Sequence, residues 1–185
     1  MYRKVMGAAA LALTVAAVST LRADEKTVMV GGAAMYPSKN IIENAMNSKD
    51  HTTLVAAVKA AGLVDTLEGK GPFTVFAPTN DAFARLPAGT IDALLKPENK
   101  TMLANVLTYH VVAGKLDAHA LMEKAHKGGG KAELATVSGG KLWVVMDMGK
   151  LRLRDEKGME ASITTPDVYQ SNGVIHVIDT VVMSK

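Results

Sequence analysis

The chain has 185 residues, 48% hydrophobic and 21% charged, a globular composition with room for one domain and a tail. Three of the 21 Lys and Arg residues, and none of the 18 acids, lie in residues 1–23, so the formal charge of +3 is local and the rest is balanced. That balance, with only 4% aromatic residues, argues against nucleic-acid binding by phosphate neutralisation or base stacking.

The chain opens with Tyr2-Arg3-Lys4, a basic lead into the apolar, Ala-rich run from Val5 to Leu21. Polarity returns at Arg22-Ala23-Asp24-Glu25-Lys26. This is the pattern of an export signal over residues 1–23, with cleavage after Ala23 or near Ala17 or Ser19. As a membrane anchor the run is at the short limit, and its Ala, Gly, Ser and Thr make it weakly hydrophobic. No membrane span is therefore expected once the signal is removed. The chain has no cysteine, which excludes disulfides, thiol catalysis, thiolate metal sites and a lipid-acceptor Cys behind the signal.

Residues 24–50 read as an N-terminal arm punctuated by Gly31-Gly32 and Pro37, with a short helix around Ile41 to Met46. Thr52 opens a helix with Leu54, Val55, Val58 and Ala61 at helical spacing, and Gly62 ends it. A further turn at Leu63-Val64 and Leu67 precedes Gly69-Lys70-Gly71-Pro72. Phe73-Thr74-Val75-Phe76-Ala77 is a strand between two prolines. Thr79 or Asn80 caps a helix with Phe83 and Leu86, Thr90 caps one with Ile91, Leu94 and Leu95, and Pro97 opens one with Met102, Leu103, Val106 and Leu107. His110-Val111-Val112 is a short strand, and Asp117 to Lys127 is helical. From Ala132 onward the texture is strands, separated by turns at Gly139-Gly140, Gly149-Lys150 and Lys157-Gly158. Helices first and strands later argue for an α+β fold.

Three segments together resemble the signatures of the fasciclin domain. Phe73-Thr74-Val75-Phe76-Ala77-Pro78-Thr79-Asn80-Asp81-Ala82-Phe83 is similar to the first, and Asn172-Gly173-Val174-Ile175-His176-Val177-Ile178-Asp179 to the second. Between them, Leu107-Thr108-Tyr109-His110-Val111-Val112 resembles the Tyr-His motif. The resemblance covers residues 51–185, and Met35-Tyr36-Pro37-Ser38-Lys39-Asn40 resembles the leader of short, single-domain bacterial members. It implies a wedge-shaped β-sandwich with helices along one side, in a secreted or surface module that supports adhesion. In animal relatives the Tyr-His motif and an Asp-Ile pair are assigned to integrin binding. The matching residues are Tyr109, His110, Asp167 and Val168, the last departing from Ile, with Tyr169 beside them. A bacterial-looking signal makes integrins poor partners, so these five residues carry over as a candidate binding face.

Phe73, Val75, Phe76 and Phe83 read as core, and Asn80 and Asp81 as helix-capping residues. His110 and His176 are expected to be buried, and His110 to bond near the Thr79-Asn80-Asp81 corner. Burial would lower their pKa values and weaken the fold in acid. Asp167 is expected in an exposed Pro-containing loop. His119, Met122 and His126 share a helix face, a Met and His pairing that suits copper. Two histidines at i and i+7 are about 10 Å apart by helical rise, too far to chelate one ion, and Met122 is expected in the core seam. There is no G-x-S-x-G elbow and no H-E-x-x-H, and Gly128-Gly129-Gly130-Lys131 runs into Ala132, which fails the phosphate-loop pattern. Asn99-Lys100-Thr101 is a glycosylation sequon, relevant only in a eukaryotic source. The reading is therefore a non-catalytic, exported binding module without cofactor, periplasmic or extracellular. It would recognise a protein or a cell-envelope or matrix component. A periplasmic copper binder using His119, Met122 and His126 is the alternative.

Overall fold

A computed structural model describes residues 26–185; the export signal expected over residues 1–23 lies outside them. Strands β1 (Val28–Val30) and β2 (Ala33–Met35) form a hairpin. Its turn is Gly31-Gly32, with φ of 59° and 76°, the left-handed pair that a two-residue hairpin needs. Helix α1 (Ile41–Asn47) follows behind a reciprocal cap, in which Asn40 accepts the Glu43 amide and Glu43 accepts the Asn40 amide.

The segment expected to be an arm is built into the core. Val30, Met35, Ile41 and Ile42 are all buried in the first apolar cluster. Asn44 is fully buried and both accepts from the Tyr36 amide and donates to its carbonyl, at 3.0 and 2.8 Å. Its Nδ2 also donates to Gln170 of a distant strand.

Helices α2 (Thr52–Ala61) and α3 (Val64–Glu68) come next. Gly62 closes α2 in the left-handed conformation at φ 71°. Strand β3 (Phe73–Pro78) leads into α4 (Asn80–Ala84), whose cap is the Thr79 hydroxyl accepting from the Ala82 amide. Then come α5 (Thr90–Leu94), α6 (Lys100–Tyr109), β4 (Val111–Ala113) and α7 (Ala118–Lys127). The rest is a meander of β5 (Lys131–Ala135), β6 (Lys141–Asp147), β7 (Lys150–Arg154), β8 (Glu160–Gln170) and β9 (Gly173–Ile178).

The fold is α+β. Seven strands run in the order β4-β3-β9-β8-β7-β6-β5, with β3 parallel to β9 and all other neighbours antiparallel. Strand β8 joins the two halves. Its residues Glu160, Ala161 and Ser162 pair with β7, while Ile163 through Gln170 pair with β9 across two register shifts. Such bulges bend a strand and let it turn a corner between layers. The far ends meet where Val112 bridges Thr136 and the Val137 amide donates to the Val111 carbonyl at 2.8 Å, which nearly closes the sheet.

Period-2 alternation divides the apolar residues between two cores. In β3, Val75 and Ala77 face the helices α1 to α6, while Phe76 faces the interior of the curled sheet. In β9, Ile175 and Val177 join the first core and Ile178 the second. The second core is roofed by α7 through Leu121 and Ala125. Two methionines set by helix spacing lie outside instead: Met102 is 57% exposed, and Met122, expected in the core seam, is 37% exposed. On α7 the inward stripe is Ala118, Leu121 and Ala125, which turns Met122 out towards solvent.

Candidate functional site

Tyr109 ends α6, and His110 is the junction residue before β4. Both are buried, Tyr109 completely. The Tyr109 hydroxyl donates to the Lys141 carbonyl at 2.5 Å and accepts the Glu156 amide at 3.3 Å. It thereby fastens the start of β6 to the turn between β7 and β8. Burial, with the charges of Glu156 and Asp155 adding to it, pushes the phenol up to about 12.

His110 turns to different partners. Its Nδ1 lies 2.7 Å from the Val106 carbonyl, and its Nε2 lies 3.2 Å from the Val182 amide. The carbonyl can only accept and the amide can only donate, so the ring is the neutral tautomer with its proton on Nδ1. Burial pushes its pKa down to about 4, against the opposing pull of the Val106 carbonyl and Asp155. The bond expected to the Thr79-Asn80-Asp81 corner is absent. Asn80 instead accepts the Thr53 amide at 3.0 Å and donates to the Lys49 carbonyl at 2.8 Å. Val168 is 1% exposed and packs in the first core. Tyr109, His110 and Val168 thus face the interior.

Asp167 and Tyr169 lie on the other side of β8. Asp167 sits in the bulge between Thr165 and Val168 at φ 58°, within the strand and not in the expected loop. Its Oδ1 accepts the Ala118 amide at 2.6 Å, at the start of α7. Its own amide donates to His176 Nδ1 at 3.3 Å, and His176 Nε2 donates to the Leu116 carbonyl at 2.8 Å. The His176 ring stacks on Phe76 at 5.6 Å, and burial lowers its pKa despite nearby Asp167 and Asp117. Tyr169 is 38% exposed, with Lys115 Nζ 4.9 Å above its ring and its hydroxyl 3.4 Å from Asp117 Oδ2. The exposed part of the candidate face is therefore Tyr169 with Lys115, Asp117 and the edge of Asp167.

The fasciclin domain profile matches residues 49–184. The chain belongs to the fasciclin domain family. It is 44% identical over 174 residues to Protein sll1483 of Synechocystis sp., covering 94% of this chain and 89% of that one. It is 35% identical over 159 residues to the cell surface glycolipoprotein MPB83 of Mycobacterium bovis, covering 83% of this chain and 63% of the relative. In three dimensions it is similar to the FAS1 domain pair of the insect cell adhesion molecule Fasciclin I. The TM-score is 0.72 at 17% identity, over 80% of this chain and about half of that one (52%).

In this fasciclin domain the second signature is held from inside. Asn172 Nδ2 donates to the Leu67 and Gly69 carbonyls, and its Oδ1 accepts the Ile41 amide. His119, Met122 and His126 line the exposed face of α7, and no three His, Cys, Asp or Glu side chains converge on a metal position among the described residues. No helix among the described residues is long and apolar enough to cross a membrane. Lys115, Asp117, Asp155 and Glu156 were not singled out as site residues by sequence. For Asp117 a signal existed, since it caps α7 by accepting the Ala120 amide at 2.8 Å.

Proposed function

We propose that this fasciclin domain is an exported, non-catalytic recognition module whose binding surface centres on Tyr169. The observation that carries the reading is the exposed Tyr169 ring held between the Lys115 ammonium and the Asp117 carboxylate, beside the left-handed Asp167. An aromatic face with one cation and two carboxylates around it supplies the apolar contact and directional polar groups typical of binding hot spots. Tyr109, His110 and Val168 are buried, Tyr109 in the second core and Val168 in the first.

The partner class is a protein or a cell-envelope or matrix component, met in the periplasm or outside the cell. Four observations support this reading: family membership, the cell-surface location of the Mycobacterium glycolipoprotein, the cell-adhesion role of insect Fasciclin I, and the leading apolar run. The charge balance of the chain beyond residue 23 speaks against nucleic acid.

The test is capture from an envelope fraction by the immobilised chain, compared with its Tyr169→Ala and Lys115→Ala variants. Melting temperature serves as the control for folding. Loss of the captured partner at unchanged melting temperature supports the reading. Equal capture by wild type and both variants overturns the surface assignment.

A further inference from the structure

The chain beyond β9 has no regular secondary structure, yet Val181 and Val182 are buried, Val181 in the first core and Val182 in the second. The segment bridges the two cores. At its root Asp179 is tied to the Ser162 amide and carbonyl, and Arg85 donates to the Asp179 carbonyl. Further along, the contacts change character. Among the described residues, no bond between main-chain atoms secures residues 180–185. Their amides are held by three side chains: His110 Nε2 takes Val182 at 3.2 Å, Asp155 Oδ2 takes Met183 at 2.9 Å, and Glu156 Oε2 takes Lys185 at 3.1 Å.

We propose that residues 180–185 form a strap that protons release, with His110 as its latch. All three acceptors lose accepting capacity when they take a proton, unlike a carbonyl in a β-ladder. For His110 the loss is complete. The free lone pair sits on Nε2, the atom that holds Val182, because Nδ1 already carries the proton given to Val106. A second proton must therefore enter at Nε2, where it sets an N–H against the Val182 N–H. It also places a cation in a site that is 2% exposed.

The groups packed around the ring offset this only in part. They are the Val106 carbonyl from α6, the strap amide, and Asp155 from the β7–β8 turn, which is engaged by the Lys157, Met159 and Met183 amides. His51 and Ser48 meet the same interior cavity from the helical layer, and Ser48 Oγ bonds His51 Nδ1 at 2.8 Å. Lifting the strap breaks no bond between main-chain atoms, admits water to the ring and leaves the β9 ladder closed, at the cost of exposing Val181 and Val182.

The experiment is residue-resolved amide exchange on the full chain at pH 7 and in steps to pH 4, corrected for intrinsic exchange. Imidazole nitrogen shifts of His110 are followed alongside. Expected is a tenfold or greater loss of protection at Val182, Met183 and Lys185 relative to Val174, Ile175 and Val177, tracking the His110 titration. The His110→Asn variant, which offers an acceptor that does not titrate, should keep the strap closed. If that variant does not fold, the co-titration of strap amides and imidazole in the wild type decides. Strap and β9 amides losing protection together, or a strap transition that ignores the His110 titration, overturns the proposal.

Discussion

Asp167 Oδ1 accepts the amide of Ala118 at 2.6 Å, joining the bulge of β8 to the first turn of α7 across 49 residues. Asp117 occupies the same helix end as its N-cap, so two carboxylates meet the free amides and positive dipole of α7. Asp167→Ala removes one acceptor and leaves Ala at φ near 58°, where Asp and Asn are better tolerated. The expected loss is about 1–2 kcal/mol, the usual scale for a helix-cap removal. Asp167→Asn keeps both the acceptor and the left-handed tolerance and should melt close to wild type. Thermal denaturation of the pair decides, and an Ala variant as stable as wild type would remove Asp167 from the framework.

The N-terminal segment makes a second test. Ile42 is 4% exposed within the first core. Ile42→Ala should destabilise by about 2–4 kcal/mol, the transfer and cavity terms together. Deleting residues 26–48 removes Val30, Met35, Ile41 and Ile42 along with the Asn44 bonds, and should abolish the cooperative melt. Calorimetry checks both. A sharp transition in the deletion variant would show that the segment is an appendage after all.

Strands β3 and β9 were legible because each is a short β-rich run next to turn residues. The order of helices and strands, and so the α+β class, followed from the same patterning. Strands β1 and β2 were not legible, because three residues each fall below the length at which alternation means anything, and tertiary packing makes them. Pro166 hid the second half of β8, since proline in a strand interior normally argues against the strand and only a bulge accommodates it. Helix phase misplaced Met102 and Met122, because flanking leucines and alanines offered an alternative seam. The candidate site was half legible. Burial of His110 and His176 could be read from their neighbours. The partner of His110 could not, since Val182 lies 72 residues away and presents only a main-chain amide.

Gly140 lies against the Tyr109 ring without a left-handed φ, so its role is steric. A Cβ there would fall 2.7 and 2.9 Å from two ring carbons of Tyr109. The ring does not yield freely, because its hydroxyl is tied to Lys141 and Glu156 and the side chain is wholly buried. Gly140→Ala should cost about 1–3 kcal/mol, the range for overpacking a closed core. Urea unfolding measures it, and a neutral Gly140→Ala would mean that the β5–β6 turn shifts aside.

The last prediction concerns acid. His51, His110 and His176 are buried, and burial is the largest influence on each, lowering all three pKa values below the ordinary 6.5. The unfolded chain therefore binds protons at a higher pH than the native one, so unfolding gains protons as pH falls. The stabilisation from neutral histidines is complete above about 6.5. It is lost as pH drops towards the folded values, which for His110 is about 4. Carboxylates act lower down. Glu156, held by the Lys141 and Lys185 amides, and Glu160, held by Arg154 and Arg152, are both lowered from 4.5. Their contribution is present above that value and fades below it, so they do not account for a slope between pH 6.5 and 5. Denaturant unfolding at pH 7, 6 and 5 at constant ionic strength should show a falling midpoint at unchanged slope. The Phe76 stack and the paired ring nitrogens make His176 the instructive variant, because His176→Gln can hydrogen-bond but cannot become charged in this range. It should start less stable at pH 7 and lose less between pH 7 and 5. A flat wild-type profile across that window would mean that the three rings are not held neutral by burial.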